Sequence, residues 1–374
     1  MMFKNSFYIG KIAGIPIRIH ISWLIVFVLF TWHLAGNYFP QNYPGWDNTR
    51  YLWTGVITSL LFFVSVLIHE LAHSIVATKQ ELPVRDIVLF IFGGVSELTD
   101  EPKSAGNEFL MALVGPLSSF LLAILFGILW LIMRELSEPV SAIGGFLASI
   151  NLMLAIFNMI PGFPLDGGRV FRAILWGIKG NLVKATRWAS AMGQGFAMLL
   201  IFLGIWQLFK GNWVNGMWFS FIGWFLDNAA LSSYRQVTAQ QTLIGHIVRE
   251  AMTRDCPQLS PDMTIERVVE EYILGLGKRC LPVVQDKRLL GLVTIHSIKK
   301  IPKEQWSHAQ VHNAMIPLEK IRSVKPDESL LKVLHAMTED GVNQLAVIDG
   351  EEFVGLLARD NVVSFIRNRL DLGL

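Results

Sequence analysis

Long apolar runs separated by short polar connections make up the first part of the chain. A run of about twenty apolar residues is long enough to cross a bilayer as a helix. The hydropathy pattern predicts six such spans, at residues 19–36, 53–76, 107–132, 141–160, 186–208 and 213–232. We therefore expect a polytopic α-helical membrane region with about six spans.

A shorter apolar segment, Val84 to Ser96, lies between the second and third predicted spans. It is rich in β-branched and aromatic residues, contains Gly93 and Gly94, and is too short to cross a bilayer as a helix. The pattern predicts a pair of strands. A strand edge at membrane depth is tolerated only where protein or water covers it, and such an edge can bind an extended peptide by strand addition. An ordinary hairpin in the cytosol is the alternative.

The polar second part of the chain repeats itself with a shift of about 64 residues. The matching segments are Ala251–Met252 with Ala314–Met315, Leu281–Val284 with Leu345–Ile348, and Gly291–Thr294 with Gly355–Ala358. Each copy is predicted to form a strand, a helix, two strands and a helix, and a long period that occurs only twice indicates a duplicated domain. We expect a membrane domain at residues 1–235 and a soluble α/β domain at 243–374, with its copies at 243–303 and 308–370.

Composition agrees with this division. The 374 residues are 52% hydrophobic and 17% charged, with a mean hydropathy of +0.44, whereas soluble proteins contain about 25% charged residues. Eleven of the 12 tryptophans precede residue 230. The formal charge is only +2 and no basic block is present, so nucleic acid is not an expected partner and the lipid bilayer is.

The cysteines and the N-terminus bear on the compartment. Cys256 and Cys280 are the only cysteines and both lie in the soluble part, which indicates a reducing compartment without a disulfide framework. The first apolar run is too long for a signal peptide, so we expect it to remain in the membrane.

Basic residues are distributed unevenly between the two sets of loops. One set contains Lys4, Lys11, Arg18, Lys79, Arg85, Lys103, Arg169, Arg172, Lys179, Lys184 and Arg187. The opposite set contains only Arg50, Arg134 and Lys210. By the positive-inside rule, both termini and the soluble domain are predicted to be cytosolic.

The second predicted span carries the sequence H-E-x-x-H at His69, Glu70 and His73. Residues four apart share one face of a helix, so the two histidines can hold one Zn²⁺ while Glu70 lies beside the open coordination position. An ionisable residue in such an apolar run costs about 2.5 to 3.5 kcal/mol on insertion scales. Two hydrogen-bonded core histidines are the alternative, but they would leave Glu70 unexplained.

A third metal ligand is expected from another segment, because a catalytic zinc site has three protein ligands and one open position. The fourth predicted span ends in NMIPGFPLDGGR, where Pro161 and Pro164 stop the helix and present Asp166 from a broken segment. Asp227 in the last predicted span is the rival ligand, and a helix cap is the alternative role for Asp166.

These motifs together resemble the site-2 protease family of intramembrane zinc metalloproteases. The resemblance rests on HELAH, on Asn158, Pro161, Pro164, Asp166 and Gly167 spaced as N-x-x-P-x-x-P-x-D-G, on the FGG stretch Phe92 to Gly94, and on the pair Gly115 and Pro116. It covers about residues 10 to 230. It implies that His69, His73 and Asp166 bind one Zn²⁺ per chain, that Glu70 activates water, and that Asn158 positions or polarises the scissile carbonyl. The implied substrates are single-span membrane proteins that another protease has already trimmed.

The duplicated segment resembles a pair of CBS motifs, which often bind adenine nucleotides. In that family the turn G-h-h-T/S-x-x-D supplies a hydroxyl for phosphate and a carboxylate for ribose. Here Ser297 and Asn361 stand at the carboxylate positions and Ala358 at one hydroxyl position. Adenine nucleotide binding is therefore not favoured, and a structural or dimerising module, such as one forming a homodimer, is the alternative.

The sequence as a whole predicts a zinc endopeptidase that cleaves single-span membrane proteins within or near the bilayer and is modulated by a cytosolic CBS pair. A CBS-regulated ion transporter or channel is the rival, because intramembrane His, Glu and Asp can also line an ion path. The rival does not explain the spacing H-E-x-x-H. An inactive homologue is the third possibility, although the expected chemical groups are all present.

Overall fold

The computed structural model describes residues 6–91, 93–98 and 101–372. Lys4 and Phe92, which were used above, lie outside the described residues. So do residues 1–5 of the predicted membrane domain and residues 373–374 of the predicted soluble domain. The chain divides into two compact units, Met1–Val237 and Thr238–Leu374. The predicted boundaries at 235 and 243 stay predictions.

Among its described residues, the first unit contains four strands, seven complete helices and most of an eighth, α8, which continues into the second unit. Its elements are β1 (Ser6–Ile12), β2 (Ile15–His20), α1 (Ile21–His33), a π-helical turn (Leu34–Tyr38), α2 (Phe39–Asn42), α3 (Asn48–Lys79), β3 (Val84–Phe90), β4 (Gly93–Leu98), α4 (Ala105–Met133), α5 (Glu138–Asn158), α6 (Asp166–Lys179), α7 (Leu182–Phe209) and α8 (Trp213–Leu243).

Among the described residues, five helical segments are long and apolar enough to cross a membrane. They are Ile21–Asn42, Asn48–Lys79, Ala105–Met133, Glu138–Asn158 and Leu182–Phe209. These segments support the prediction of a multi-pass helical membrane region. Within the described part of the chain α8 is not among them, because Asp227, Asn228 and several tryptophans lower its hydropathy. The sixth span stays a prediction.

Capping side chains define where the site-bearing helices begin. The carboxylate of Asp47 accepts a hydrogen bond from the Arg50 backbone amide at 3.2 Å, and the hydroxyl of Ser104 accepts one from the Asn107 amide at 3.2 Å. Such caps satisfy backbone donors that the first helical turn leaves without partners. From its cap, α3 continues unbroken through the histidine motif.

A four-stranded sheet lies in the first unit, in the order β1-β2-β3-β4. β2 and β3 pair parallel, and the other neighbours pair antiparallel. The predicted strand pair at Val84 to Ser96 is confirmed as β3 and β4. The hairpin β1–β2, which was not predicted, extends this sheet. β4 is an edge strand, which leaves one row of its backbone groups for pairing with another chain.

Helix α4 packs against α3, α5 and α6 and so is the central helix of the first unit. Its Ala112 is fully buried, and so is Ala142 of α5 to within 1%. A polar link joins two of the surrounding helices, since Asn151 of α5 donates to the Ser65 hydroxyl of α3 at 3.3 Å. Helix α3, which carries the histidines, and helix α6, which carries the candidate acid, thus both pack against α4.

The second unit contains two similar halves. Its elements are α9 (Val248–Ala251), α10 (Ile265–Arg267), a π-helical segment (Val268–Gly275), β5 (Cys280–Gln285), β6 (Arg288–Thr294), α11 (Ile295–Ile298), a 3₁₀ turn (Lys303–Gln305), α12 (Val311–Ala314), β7 (Ile316–Pro317), a 3₁₀ turn (Leu318–Lys320), β8 (Ser323–Val324), α13 (Leu330–Glu339), β9 (Gln344–Asp349), β10 (Glu352–Ala358) and α14 (Arg359–Asp371). The second half has the predicted order of strand, helix, two strands and helix. In the first half the first strand is only a bridge between Leu259 and Val283.

The two halves exchange their first segments. Ile316, at the start of the second half, pairs with Leu292 of β6, and Thr253, at the start of the first half, pairs with Leu356 of β10. Cys280, Leu289 and Leu292 of one half share a buried cluster with Ala346, Phe353 and Leu356 of the other. Each half therefore completes the other.

The repeated glycines allow this exchange. A Cβ atom at Gly355 would lie 2.6 Å from the Thr253 carbonyl oxygen, and a Cβ at Gly291 would overlap the Ile316 carbonyl oxygen. Side chains cannot be accommodated at such distances without moving the paired backbone. The glycine in each G-h-h-T/S turn is thus required by a close backbone approach.

Gly355→Val is expected to destabilise the second unit, because its side chain must displace the backbone of Thr253. Overpacking of this kind costs about 1 to 3 kcal/mol. Urea unfolding of the segment 238–374, followed through its only tryptophan, Trp306, measures the change. The control Val363→Ala, at a position 47% exposed on α14, is expected to stay within about 0.5 kcal/mol. Equal midpoints for both variants would contradict the close approach.

Candidate metal centre

Three donor atoms from two separate helices converge at one point. The Nε2 atoms of His69 and His73 on α3 lie 3.3 Å apart, and each lies 3.1 Å from Oδ2 of Asp166 on α6. His69 is 5% exposed, and the other two side chains are largely buried. Among the described residues, these three form a group able to hold a metal ion. Asp227, the rival acid, is not a member.

The hydrogen-bond chemistry of the group favours a cation between the donors. His73 Nδ1 lies 2.6 Å from the Met111 carbonyl oxygen, which can only accept, so the proton is assigned to Nδ1 and Nε2 presents its lone pair. In the neutral imidazole this lone pair faces the Asp166 carboxylate oxygen at 3.1 Å, so a cation between the two atoms can be bound by both of them. Ligands at 2.0 to 2.2 Å from a tetrahedral Zn²⁺ are about 3.3 to 3.6 Å apart. The observed separations of 3.1 and 3.3 Å are close to the values for that ion.

Helix α4 orients both imidazole rings. The Ser119 hydroxyl lies 2.9 Å from His69 Nδ1, and the Met111 carbonyl holds His73 Nδ1 as described. Partners of this kind fix the tautomer and the ring orientation of a metal-binding histidine. Gly115 lies between these two supports, and a Cβ atom there would overlap the His73 ring. The small residue of the Gly115–Pro116 pair is therefore required by the close approach of His73.

Asp166 is presented by a break in the helical structure. α5 ends at Asn158, residues 159–165 are non-helical, and α6 begins at Asp166 itself. Leu165 occupies the N-cap position of α6 and makes no side-chain cap. The capping alternative for Asp166 is therefore not supported, since its carboxylate faces the two histidines.

Glu70 lies outside the group of three donors and is held by the sheet. Its Oε2 accepts a hydrogen bond from the Ser96 hydroxyl of β4 at 2.9 Å, and the Ser74 hydroxyl donates to Ser96 at 3.0 Å. A Cβ atom at Gly94 would overlap the Glu70 side chain, so glycine lets the carboxylate approach β4. Glu70 thus lies between the histidine pair and the edge strand.

The remaining candidate, Asn158, is the last residue of α5 and is half-buried. It lies at the start of the non-helical segment that leads to Asp166. The arrangement thus brings His69, His73 and Asp166 together, sets Glu70 beside them on α3, and places Asn158 at the end of a neighbouring helix.

Sequence reasoning missed the residues that support the site. Ser119, the Met111 carbonyl and Ser96 act through hydrogen bonds across elements, and no local pattern marks them. Arg172 and Glu108 form a buried ion pair between α6 and α4. An acid and a base inside otherwise apolar segments are a signal that could have indicated this pair.

In the second unit, Ser297 and Asn361 are engaged in helix capping. The Ser297 hydroxyl accepts from the Thr294 amide at 3.0 Å, and Asn361 Oδ1 accepts from the Ala358 amide at 3.1 Å. A cleft of about 610 Å³ between the two halves is lined, among others, by Thr294, Arg359 and Asp360. The carboxylate of Asp360 thus lines the cleft one residue before Asn361, which occupies the position of the family's ribose-binding carboxylate.

Comparison with known proteins places these features in families. The profile of Peptidase family M50 matches residues 57–137 and 134–202, and that of the CBS domain matches residues 248–304 and 313–368. A solved structure titled Site-2 Protease from Methanocaldococcus jannaschii is 30% identical, with a TM-score of 0.43, and covers 61% of this chain and 95% of that one.

Curated relatives match over nearly the whole chain. Rip3 of Mycobacterium tuberculosis, which carries the name of a zinc metalloprotease, is 33% identical over 97% of this chain and 93% of its own length. The protein sll0528 of Synechocystis, named in the same way, is 33% identical over 97% of this chain and 96% of its own. These matches do not favour the transporter alternative. The chain therefore belongs to peptidase family M50, the site-2 protease family of zinc metalloproteases, and carries a pair of CBS domains.

Proposed function

We propose that the protein is an intramembrane endopeptidase in which His69, His73 and Asp166 hold one zinc ion. The observation that carries the proposal is the convergence of the two Nε2 atoms and one carboxylate oxygen within 3.3 Å of one another. Three protein ligands leave a fourth tetrahedral position for water or substrate, which is the arrangement of catalytic rather than structural zinc.

Glu70 acts as the general base. When bound, zinc supplies a Lewis acid that lowers the pKa of a coordinated water to about 7 and polarises a carbonyl oxygen. The Glu70 carboxylate takes the proton of the attacking water and later transfers it to the leaving amine. The Ser96 hydroxyl holds one carboxylate oxygen, which leaves the other oxygen for the proton.

Asn158 orients the scissile carbonyl. Its side-chain amide carries two N–H donors and no charge, so it can donate to a carbonyl oxygen without competing for the metal. A donor aimed at the oxygen on which charge develops stabilises the transition state. Its place at the end of α5, before the segment that carries Asp166, supports this role.

Strand β4 binds the substrate as an extended chain. A helical substrate hides its carbonyls within its own hydrogen bonds, so it must unwind before cleavage. A peptide paired with the free edge of β4 would run about 4.8 Å from that strand. Ser96 of β4 is in contact with Glu70, so such a peptide passes close to the base. The substrates are single-span membrane proteins, which reach this edge from the bilayer.

The CBS pair lies in the cytosol and modulates cleavage without binding adenine nucleotide tightly. The excess of basic residues on one side supports the orientation, which requires α8 to cross the membrane. Ser297 and Asn361 cap helices and carry no carboxylate for ribose. Basic residues of the cleft such as Arg359 attract anions, but such attraction is weak and sensitive to salt. A homodimer through the CBS pair stays a prediction.

Glu70→Gln is expected to lower cleavage of a single-span test substrate about 10²- to 10⁴-fold, because a general base contributes that factor. Its zinc content stays near one per chain, since Glu70 is not a ligand. Glu81→Gln, at an exposed position just after α3, serves as the matched control and keeps full activity. Loss of zinc from the Glu70 variant would instead make Glu70 a ligand.

Gly115→Ala is expected to lower zinc affinity at least tenfold, together with activity, because the added methyl group displaces the His73 ring. Changes to groups that orient a metal ligand typically cost about 10- to 100-fold in affinity. Gly127→Ala on the same helix is the control, since the nearest atom to its methyl group is Ala148 Cβ at 3.9 Å. Metal analysis of both purified variants tests this, and equal zinc contents would contradict the packing described.

Opposite sides of the membrane are expected for the α3 start and the CBS pair. In a chain with Cys256 and Cys280 replaced by alanine, T49C and S307C place single thiols at exposed positions. An impermeant maleimide should label T49C in intact cells and S307C only after permeabilisation. Labelling of both in intact cells would refute the orientation and the six-span count on which it depends.

A further inference from the structure

We propose that Arg172 is a positioning residue for the metal site. Its guanidinium fixes α6, and with it Asp166, to the helix that also orients both histidines. The inference rests on the proposed zinc site, but it concerns how the two helices that carry the ligands are held at the distances that a metal requires.

The metal donors come from two pieces of chain that no continuous element connects. The histidines lie on α3, whereas Asp166 begins α6 after the non-helical residues 159–165. A functional group has to be held within about 0.5 Å of its productive position. A glycine- and proline-rich connection does not supply that accuracy by itself, so another contact must set the position of α6.

Helix α4 is the common reference for both pieces. Met111 and Ser119 of α4 hold the histidine rings, as described above. Glu108 lies three residues before Met111, about one helical turn away, and its side chain is fully buried. A contact between α6 and Glu108 therefore sets Asp166 relative to the same helix that sets the rings.

Arg172 makes that contact and two others. Its Nε donates to Glu108 Oε1 at 2.5 Å, and a terminal nitrogen donates to Glu101 Oε2 at 2.8 Å. The guanidinium carbon lies 5.1 Å from the centre of the Phe163 ring. Arg172 is 2% exposed. One planar group thus connects α6 to α4, to the segment before α4, and to the loop that leads into Asp166.

The composition of this cluster indicates that it serves to orient α6 rather than to stabilise the fold. Two carboxylates face one guanidinium, and Glu108 Oε2 has no hydrogen-bond partner among the described residues. Apolar residues of similar volume often stabilise a fold as well as a buried ion pair does. What they cannot supply is direction, because the guanidinium presents its donors in a fixed plane, whereas a lysine ammonium is a rotatable point charge.

Lysine therefore separates the two roles of Arg172. Arg172→Lys keeps a positive charge beside Glu108 but loses the planar fork. The double variant Arg172→Met with Glu108→Gln removes both charges, so no fully buried charge is left without a partner. Lys179→Met is the matched control, since Lys179 is an exposed cation at the end of the same helix.

The test uses the full chain reconstituted in lipid nanodiscs. Three measurements are made on each variant: the half-time of zinc release to a chelator, the visible absorption spectrum after substitution with Co²⁺, and the far-UV circular dichroism. We expect Arg172→Lys and the double variant to release zinc about 10- to 100-fold faster and to show altered Co²⁺ bands, while their helical signal is kept. Lys179→Met is expected to match the unaltered chain in all three.

Zinc release and Co²⁺ bands like those of the unaltered chain, in either Arg172 variant, would overturn the inference. If Arg172→Lys loses its helical signal, the charge-balanced double variant decides the matter through the same two metal measurements. Failure of the unaltered chain to bind zinc would contradict the proposed function itself. The failure of the inference and the failure of the function are thus distinguishable.

Discussion

The first unit depends on one constraint. The imidazoles of His69 and His73 and the carboxylates of Glu70 and Asp166 lie among apolar helices, largely removed from water. A polar atom that leaves water without finding a hydrogen-bond partner inside the protein destabilises the folded unit. The backbone carbonyl of Met111 and the hydroxyls of Ser119 and Ser96 provide such partners. The remaining Nε2 atoms of the two histidines face the Asp166 carboxylate, an arrangement that a bound cation satisfies. Metal binding and folding of this region are therefore expected to be coupled.

Function follows from how that constraint is met. Helix α4 packs against both helices that carry the proposed ligands. It therefore holds these donors together although they are far apart in the sequence. Glu70, the proposed base, is held by the edge strand β4, with which the proposed extended substrate would pair. In the proposed function, water activation and substrate presentation therefore meet at Glu70. In the CBS pair a different device, the exchange of first segments across Gly291 and Gly355, makes the two halves one folding unit.

The parts of this structure that the sequence could predict are those that depend on the spacing and composition of residues close together in the chain. His69, Glu70 and His73 occupy one turn of a helix, and the strand pair around Gly93 and Gly94 has a composition unlike that of a span. The hairpin β1–β2 was missed, although Ile15, Ile17 and Ile19 alternate with polar or proline positions, because the adjoining apolar run dominated the pattern. The supporting contacts of Ser119, Ser96 and Arg172 could not be predicted. They join segments that are distant in the sequence, and local spacing does not indicate such contacts. The α6 helix was missed because prolines and glycines just before it indicated only a break.

The central claim is that two imidazoles and one carboxylate of the first unit hold the zinc. X-ray absorption at the zinc edge of the purified full-length protein tests it most directly, because distance and element identify each ligand. The account predicts nitrogen and oxygen neighbours at about 2.0 to 2.2 Å, with the scattering pattern of two imidazole rings. A sulfur neighbour at about 2.3 Å would contradict it, since it would place the ion at Cys256 or Cys280.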